Sequence, residues 1–341
     1  MTARHARLSL AAVSPLLLIA LSCKGGEATR TTTAAATVSR HADAVAPAEV
    51  APTESRSPAP TAAPAAAPEP AAAYSDAEAA FTAGRFSEAA EGFESYTKAR
   101  PENPWGFYML GLSTWKAGNP GEALQAFDQA LALDPHHTKS LLNSSRVLLE
   151  LARPAEALDR LHAALAVDPE SGVAYRLIGR AQAQLGAVDS AEAAYRRAIA
   201  LDERDAWAIN NLGVLYLDRG RAGDALPPLA RAVQLRGNAP VFQNNLGQAL
   251  ERSGYFGAAR EAYEAALAAD SSYPKAAVGL ERVTGREDQP SFGPLDLDAL
   301  ALTFEGQVQE WRDAVGTDTE GMARDDGSPQ DSVQIQDSVP Q

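Results

Sequence analysis

The chain of 341 residues is predicted to be all-α: a solenoid of six helix-turn-helix repeats plus a capping helix, flanked by a disordered N-terminal tether and an acidic C-terminal tail. Three observations predict it. Small residues recur at Ala77, Gly111, Ser145, Gly179, Gly213 and Gly247, each 34 residues after the last. Three more series keep that spacing, from Ala89 to Ala259, from Phe93 to Tyr263 and from Tyr96 to Ala266. Glycines stand one period apart at Gly84, Gly118, Gly186, Gly220 and Gly254, where a left-handed residue ends a first helix, and only Ala152 breaks the series. Pro101, Pro135 and Pro169 stop the second helix in the first three repeats. Self-similarity at such a period marks an architecture in which each unit buries its apolar face on its neighbours.

Residues 1–22 read as an export signal. Arg4 and Arg7 precede the apolar run Leu8 to Leu21. As a helix that run would reach about 21 Å, against about 30 Å of hydrocarbon, and Pro15 weakens it further as a span. It closes on Ile19-Ala20-Leu21-Ser22-Cys23, small residues before the only cysteine of the chain. This resembles a bacterial lipoprotein signal, which implies acylation of Cys23 and cleavage ahead of it. Lys24, being other than Asp, then implies sorting to the outer membrane, facing the periplasm. In an exported protein a lone thiol needs a reason, and lipidation supplies one. The alternatives are a plain secretory signal with an incidental cysteine, or an unused signal on a cytoplasmic scaffold.

Residues 23–69 are rich in Ala, Thr, Ser and Pro and carry almost no large apolar side chain. Such a segment cannot bury enough surface to offset its ordering entropy, so it reads as a disordered tether spanning roughly 35 to 40 Å. The repeats follow at 70–103, 104–137, 138–171, 172–205, 206–239 and 240–273. Glu203, Gly237 and Ser271 replace the stopping proline in the last three, so those joints are expected to be less sharply set. Pro227 and Pro228 fall early in the fifth second helix, which is expected to start late or bend. Residues 274–285 form the capping helix.

The tail, residues 286–341, holds thirteen acids and three arginines, −10 of the −14 net charge. Within it, about 295–315, Leu297, Leu300, Phe304, Val308, Trp311 and Val315 recur at steps of three and four, one face of an amphipathic helix. Gly306 weakens that helix by about 1 kcal/mol, so it needs a contact to form. It could cap the last repeat, dock on a partner, or plug the groove by setting its acids against Arg176 and Arg180.

The repeat series resemble the tetratricopeptide repeat family over residues 70–273, without insertion. The resemblance implies paired helices A and B in each unit and a concave groove lined by positions 2, 5, 6, 9, 12 and 13 of helix A. Those positions put Trp105, Tyr108, Met109, Leu112 and Trp115 on the second repeat, an apolar cluster of the kind that marks partner sites unless it serves packing. Asn143 and Arg146, then Arg176 and Arg180, offer forked donors for an acidic peptide or C-terminus, with ordinary salt bridges as the alternative. Asn210 and Asn211, then Asn244 and Asn245, offer amides that can both donate to and accept from a peptide backbone, although Asn-Leu-Gly in this family also serves packing.

No catalytic constellation is found. The five histidines, His5, His41, His136, His137 and His162, sit in no metal-ligand or nucleophile motif, and no phosphate loop is present. No cofactor, metal, nucleic-acid partner or small-molecule substrate is expected. The expected function is a membrane-anchored interaction adaptor or assembly factor of the bacterial envelope that binds an envelope protein or peptide. The alternative is a regulatory or substrate-recruiting subunit of an envelope enzyme or secretion complex.

Overall fold

The computed structural model describes residues 70–291 and 293–323; the signal segment, Cys23, the tether and the end of the tail lie outside them. Those residues form fourteen helices and no strand. Six pairs come first: α1 (Pro70–Thr82) with α2 (Phe86–Ala99), α3 (Pro104–Lys116) with α4 (Pro120–Leu133), and α5 (Thr138–Glu150) with α6 (Pro154–Val167). Then come α7 (Gly172–Gln184) with α8 (Val188–Leu201), α9 (Ala206–Asp218) with α10 (Ala222–Leu235), and α11 (Pro240–Arg252) with α12 (Phe256–Ala269). Two single helices follow, α13 (Pro274–Val283) and α14 (Leu297–Ala323).

The 34-residue series are the contacts that close each pair. A Cβ placed on Gly213 would lie 2.5 Å from Leu229 Cγ, and one on Gly179 would lie 2.6 Å from the Tyr195 ring. The small residue of helix A therefore sits face to face with the large residue of helix B, as close interior packing requires. Ala89, Ala123, Ala157, Ala191, Ala225 and Ala259, where the helix axes approach, are completely buried.

The joints differ from expectation in two ways. Where glycine is missing, Ala152 still adopts the left-handed conformation, with φ 56°. A Cβ there costs about 1 kcal/mol. Ala152→Gly is accordingly expected to stabilise the chain by about that much, read as a raised urea midpoint at unchanged slope; an unmoved or lowered midpoint would contradict it. Two of the three later repeat joints are set as sharply as the early ones, because aspartate rather than proline fixes them; the fifth second helix ends on Arg236 without such a bond. Asp134, Asp168, Asp202 and Asp270 each end a helix B in extended conformation, and each accepts from the backbone N–H two residues on, at 3.0, 3.2, 3.0 and 2.9 Å. Nor does α10 start late: it begins at Ala222 like its counterparts and carries Pro227 and Pro228 inside it.

Successive helices A touch one another from α3 through α13, whereas helices B show no comparable contact with the next helix B among the described residues. Helices A therefore line the inner, concave side. The buried apolar residues form two clusters, one spanning Ala77 to Ala194 and one Ala191 to Val308. Within the first of them helix α5 is comparatively polar, burying Ser140, Asn143, Ser144 and Ser145.

The C-terminal helix neither caps the last repeat nor plugs the groove. It lies on the outer side, across α10 and α8. The chain leaves α13 and runs along the turn between α11 and α12, where Gln289 N–H donates to Gly254 O (2.8 Å) and Ser291 N–H to Ser253 O (3.0 Å). Tyr255 O–H then donates to Gly293 O at 2.6 Å. From there α14 buries Ala301, Phe304 and Val308, with Leu297, Leu300 and Trp311 half-buried beside them. Its acids meet Arg231, which pairs with Glu305 at 2.6 Å, and Gln234, which donates to Asp298 at 2.9 Å, rather than Arg176 and Arg180. Arg312 pairs with Glu203, and the Arg196 guanidinium lies 5.2 Å from the Trp311 ring centre.

Candidate functional site, the concave face of the first helices

The face built by helices A is cross-linked by side chains 35 residues apart, one position further along in the next repeat. Asn143 Nδ2 donates to Tyr108 Oη (3.2 Å) and Asn245 Nδ2 to Asn210 Oδ1 (2.9 Å), both between position 5 and the next position 6. Between position 12 and the next position 13, Trp115 Nε1 donates to Glu150 Oε2 (2.7 Å), Gln184 Nε2 to Leu149 O (3.0 Å) and Arg252 Nη1 to Leu217 O (2.6 Å). Neighbouring helices A are offset by one residue, so these positions face each other.

The aromatic cluster is divided by these bonds. Tyr108, Met109, Leu112 and Trp115 are buried in the apolar core, whereas Trp105 is 38% exposed. Trp105 Nε1 donates to Tyr74 Oη at 2.7 Å, its ring meets those of Tyr108 and His137, and the Lys139 amine lies 4.8 Å from its centre. Burial pushes the Tyr74 hydroxyl up to about 12, against the bond from Trp105, so it stays protonated. Tyr74 and Lys139, at positions 5 and 2 of their repeats, were not singled out from sequence; the 31-residue step from Tyr74 to Trp105 was the signal that could have found the first.

His137 caps α5, where its Nδ1 accepts from Ser140 N–H at 3.3 Å. Burial lowers its pKa from 6.5, Asp134 pulls it up and Lys139 pushes it down again. The folded state therefore favours the neutral ring. Its contribution is complete above pH 6.5, the unfolded value, and is lost as pH falls through the lower folded value. Denaturant midpoints of the native chain are expected to drop from pH 7 to pH 5 more than those of His137→Asn, which keeps a capping side chain; parallel profiles would refute this.

The cations fall into two groups. Arg176 is buried, its Nε 2.8 Å from Asp205 Oδ2, an ion pair with the residue that caps α9 through Trp207 N–H and Ala208 N–H. Arg146 is half-buried and donates to Asn143 Oδ1 at 2.7 Å, which occupies both ends of that amide. Arg180 is half-buried one turn after Arg176, at the same repeat position as Arg146. With exposed Lys116 and Lys139, these two arginines make the concave side of α3, α5 and α7 basic in a chain of net charge −14.

The asparagines of the last two repeats bond one another. Asn244 Nδ2 donates to Asn245 Oδ1 (3.2 Å), Asn245 to Asn210, and Asn210 Nδ2 to Asn211 Oδ1 (3.4 Å). At one end Asn211 is half-exposed; at the other, Asn244 Oδ1 is buried with no hydrogen-bond partner among the described residues. The face closes on α13, where Arg282 forks Glu251 with two bonds of 2.8 Å and Tyr263 O–H donates to the same carboxylate at 2.7 Å. Burial raises the Glu251 pKa, and these donors more than offset it, holding the group below the usual carboxylate range.

Comparison with known proteins agrees with this geometry. Family models described as tetratricopeptide repeat match residues 114–181 and 210–274, and one described as TPR repeat matches residues 179–220. A search of curated proteins finds no match. Among solved structures, a tetratricopeptide repeat protein from Parabacteroides merdae is 15% identical, with a TM-score of 0.56 over 63% of this chain and 84% of that one. PilW is 22% identical, with a TM-score of 0.55 over 63% of this chain and 97% of that one. The helix pairs, their 34-residue period and these matches make the fold an all-α tetratricopeptide-repeat solenoid.

Proposed function

We propose that this protein is a lipid-anchored interaction adaptor of the bacterial envelope that binds an acidic, extended segment of a partner on its concave face. The observation that carries the reading is the basic row on α3, α5 and α7, Lys116, Lys139, Arg146 and Arg180 beside the exposed Trp105 ring, set in an acidic protein. Guanidinium groups at one position of consecutive helices suit carboxylates along an extended chain. Further along, the half-exposed Asn211 amide can donate to a backbone C=O, a contact indifferent to sequence. PilW, a type IV pilus biogenesis factor by description, uses the same fold, so an assembly role is compatible with it. The anchor rests on the signal-like segment and Cys23, which would confine the groove to a layer near the membrane and raise its effective concentration there.

Two experiments test the two halves. A labelled oligoglutamate peptide is expected to bind the full chain and to lose about tenfold or more in affinity in Arg146→Glu/Arg180→Glu. Unchanged affinity would place the site elsewhere. Metabolic labelling with a palmitate analogue is expected to mark the native chain and spare Cys23→Ala; an unlabelled native chain would remove the anchor.

A further inference from the structure

The outer side of the solenoid carries two helix-sized surfaces of opposite charge, and only one is filled. Near the C-terminal end α14 shows what such a surface accepts. Its apolar stripe is buried, Glu305 pairs with Arg231, and Trp311 lies against Arg196. Three repeats earlier, 102 residues back in register, Glu94 and Gln129 stand where Arg196 and Arg231 stand in α8 and α10.

Between α2 and α4 an open cleft of about 660 Å³ remains, with Phe107 and Leu110 on its floor and Glu91, Glu94 and Glu122 on its rim. The floor is half-exposed, whereas Ile209 and Leu212 at the same positions of the fifth repeat are completely buried. The cause is legible in α2: Ala90, which lines the cleft, stands where α4, α6 and α10 have Leu124, Leu158 and Leu226. Lys98 pairs with Glu94 at 2.7 Å, which leaves Glu91 and Glu122 to keep the rim negative.

We propose that this cleft is a second docking surface, for an amphipathic α-helix of a partner that carries basic residues beside its apolar stripe. The apolar floor supplies contact area and the three carboxylates select the sign of the flank. The charges exclude the chain's own helix from a second copy, because Asp298, Glu305, Glu310 and Asp313 of α14 would then face Glu91, Glu94 and Glu122. This surface is independent of the concave face.

The probe is a labelled synthetic peptide of residues 295–315 in which Asp296, Asp298, Glu305, Glu310 and Asp313 are each replaced by lysine, titrated against the full chain by fluorescence anisotropy. It is expected to bind, to weaken as salt is raised, and to lose about tenfold or more in affinity in Glu91→Lys/Glu94→Lys. Ala90→Trp, which roofs the floor without changing charge, is expected to weaken it similarly. Glu261→Lys/Glu264→Lys on the exposed side of α12 and Arg146→Glu/Arg180→Glu on the concave face are expected to leave affinity within about twofold. No binding at about 100 μM, or an equal loss in the α12 variant, which would mean general attraction to an acidic protein, overturns the proposal.

Discussion

Replacing Phe304 by alanine is expected to release the C-terminal helix from the solenoid. The ring is completely enclosed, edge-on to Trp311 at 5.7 Å, and forms part of the core of the last repeats. Truncating a buried phenylalanine costs about 3–5 kcal/mol, a shift of a hundredfold or more in the opening equilibrium. The polar ties that remain, Arg231 to Glu305, Gln234 to Asp298 and Arg312 to Glu203, involve exposed or half-exposed side chains and are each worth about 1 kcal/mol or less. Hydrogen exchange should therefore show the amides of α14 losing protection while α1 to α6 keep theirs, since a repeat feels only its neighbours. Protection of α14 equal to that of the native chain would show that the stripe is not what holds it.

Gly254→Ala is expected to have the second largest effect, and Gly220→Ala supplies its control. Both glycines end a helix A in the left-handed conformation, with φ of 84° and 70°. Each substitution therefore incurs a backbone strain of about 1–2 kcal/mol. A Cβ on Gly220 would meet nothing within 4 Å, but one on Gly254 would lie 2.0 Å from the backbone oxygen of Gln289. That carbonyl belongs to the strand of chain that leads into α14, so it cannot yield without breaking the Gln289 to Gly254 bond. Gly254→Ala should cost about 3 kcal/mol, twice the loss in Gly220→Ala, and should raise exchange in residues 286–300. Equal losses in the two variants would mean that the linker contact contributes nothing.

The repeat architecture was legible because its determinants are local and periodic. Gly213 against Leu229 and Gly179 against Tyr195 are contacts 16 residues apart, repeated until chance is excluded. The address of α14 was not read, although a signal existed. The exposed positions of helix B that hold Glu91 and Glu94 in the first repeat and Glu261 and Glu264 in the last hold Pro227 and Ala230 in the fifth. An apolar outer face on α10 alone needs a cover, and the stripe of Leu297, Phe304 and Val308 is its complement. The fourth and sixth joints were misjudged for a related reason: proline draws attention as a stop, while Asp202 and Asp270 do the same work through a side-chain bond.

On the concave face the sequence located residues but could not say which were spent inside the fold. Asn143, Asn210 and Asn245 occupy positions where an amide could meet a ligand, yet each is engaged across the one-residue offset between helices A. That offset is a property of how repeats stack, visible only when pairs 35 residues apart are examined together.

The strap formed by α14 also bears on mechanics. A solenoid flexes by small rotations at each junction between repeats, and a rigid helix fastened to α8 through Arg196, to the turn after it through Glu203, and to α10 through Arg231 and Gln234 splints the junction it crosses. Curvature there is locked unless those ties slide. Bending needed to close around a ligand is then concentrated in the unsplinted half, which holds the polar helix α5 and the basic row. The protein behaves as a stiff handle joined to a compliant grip.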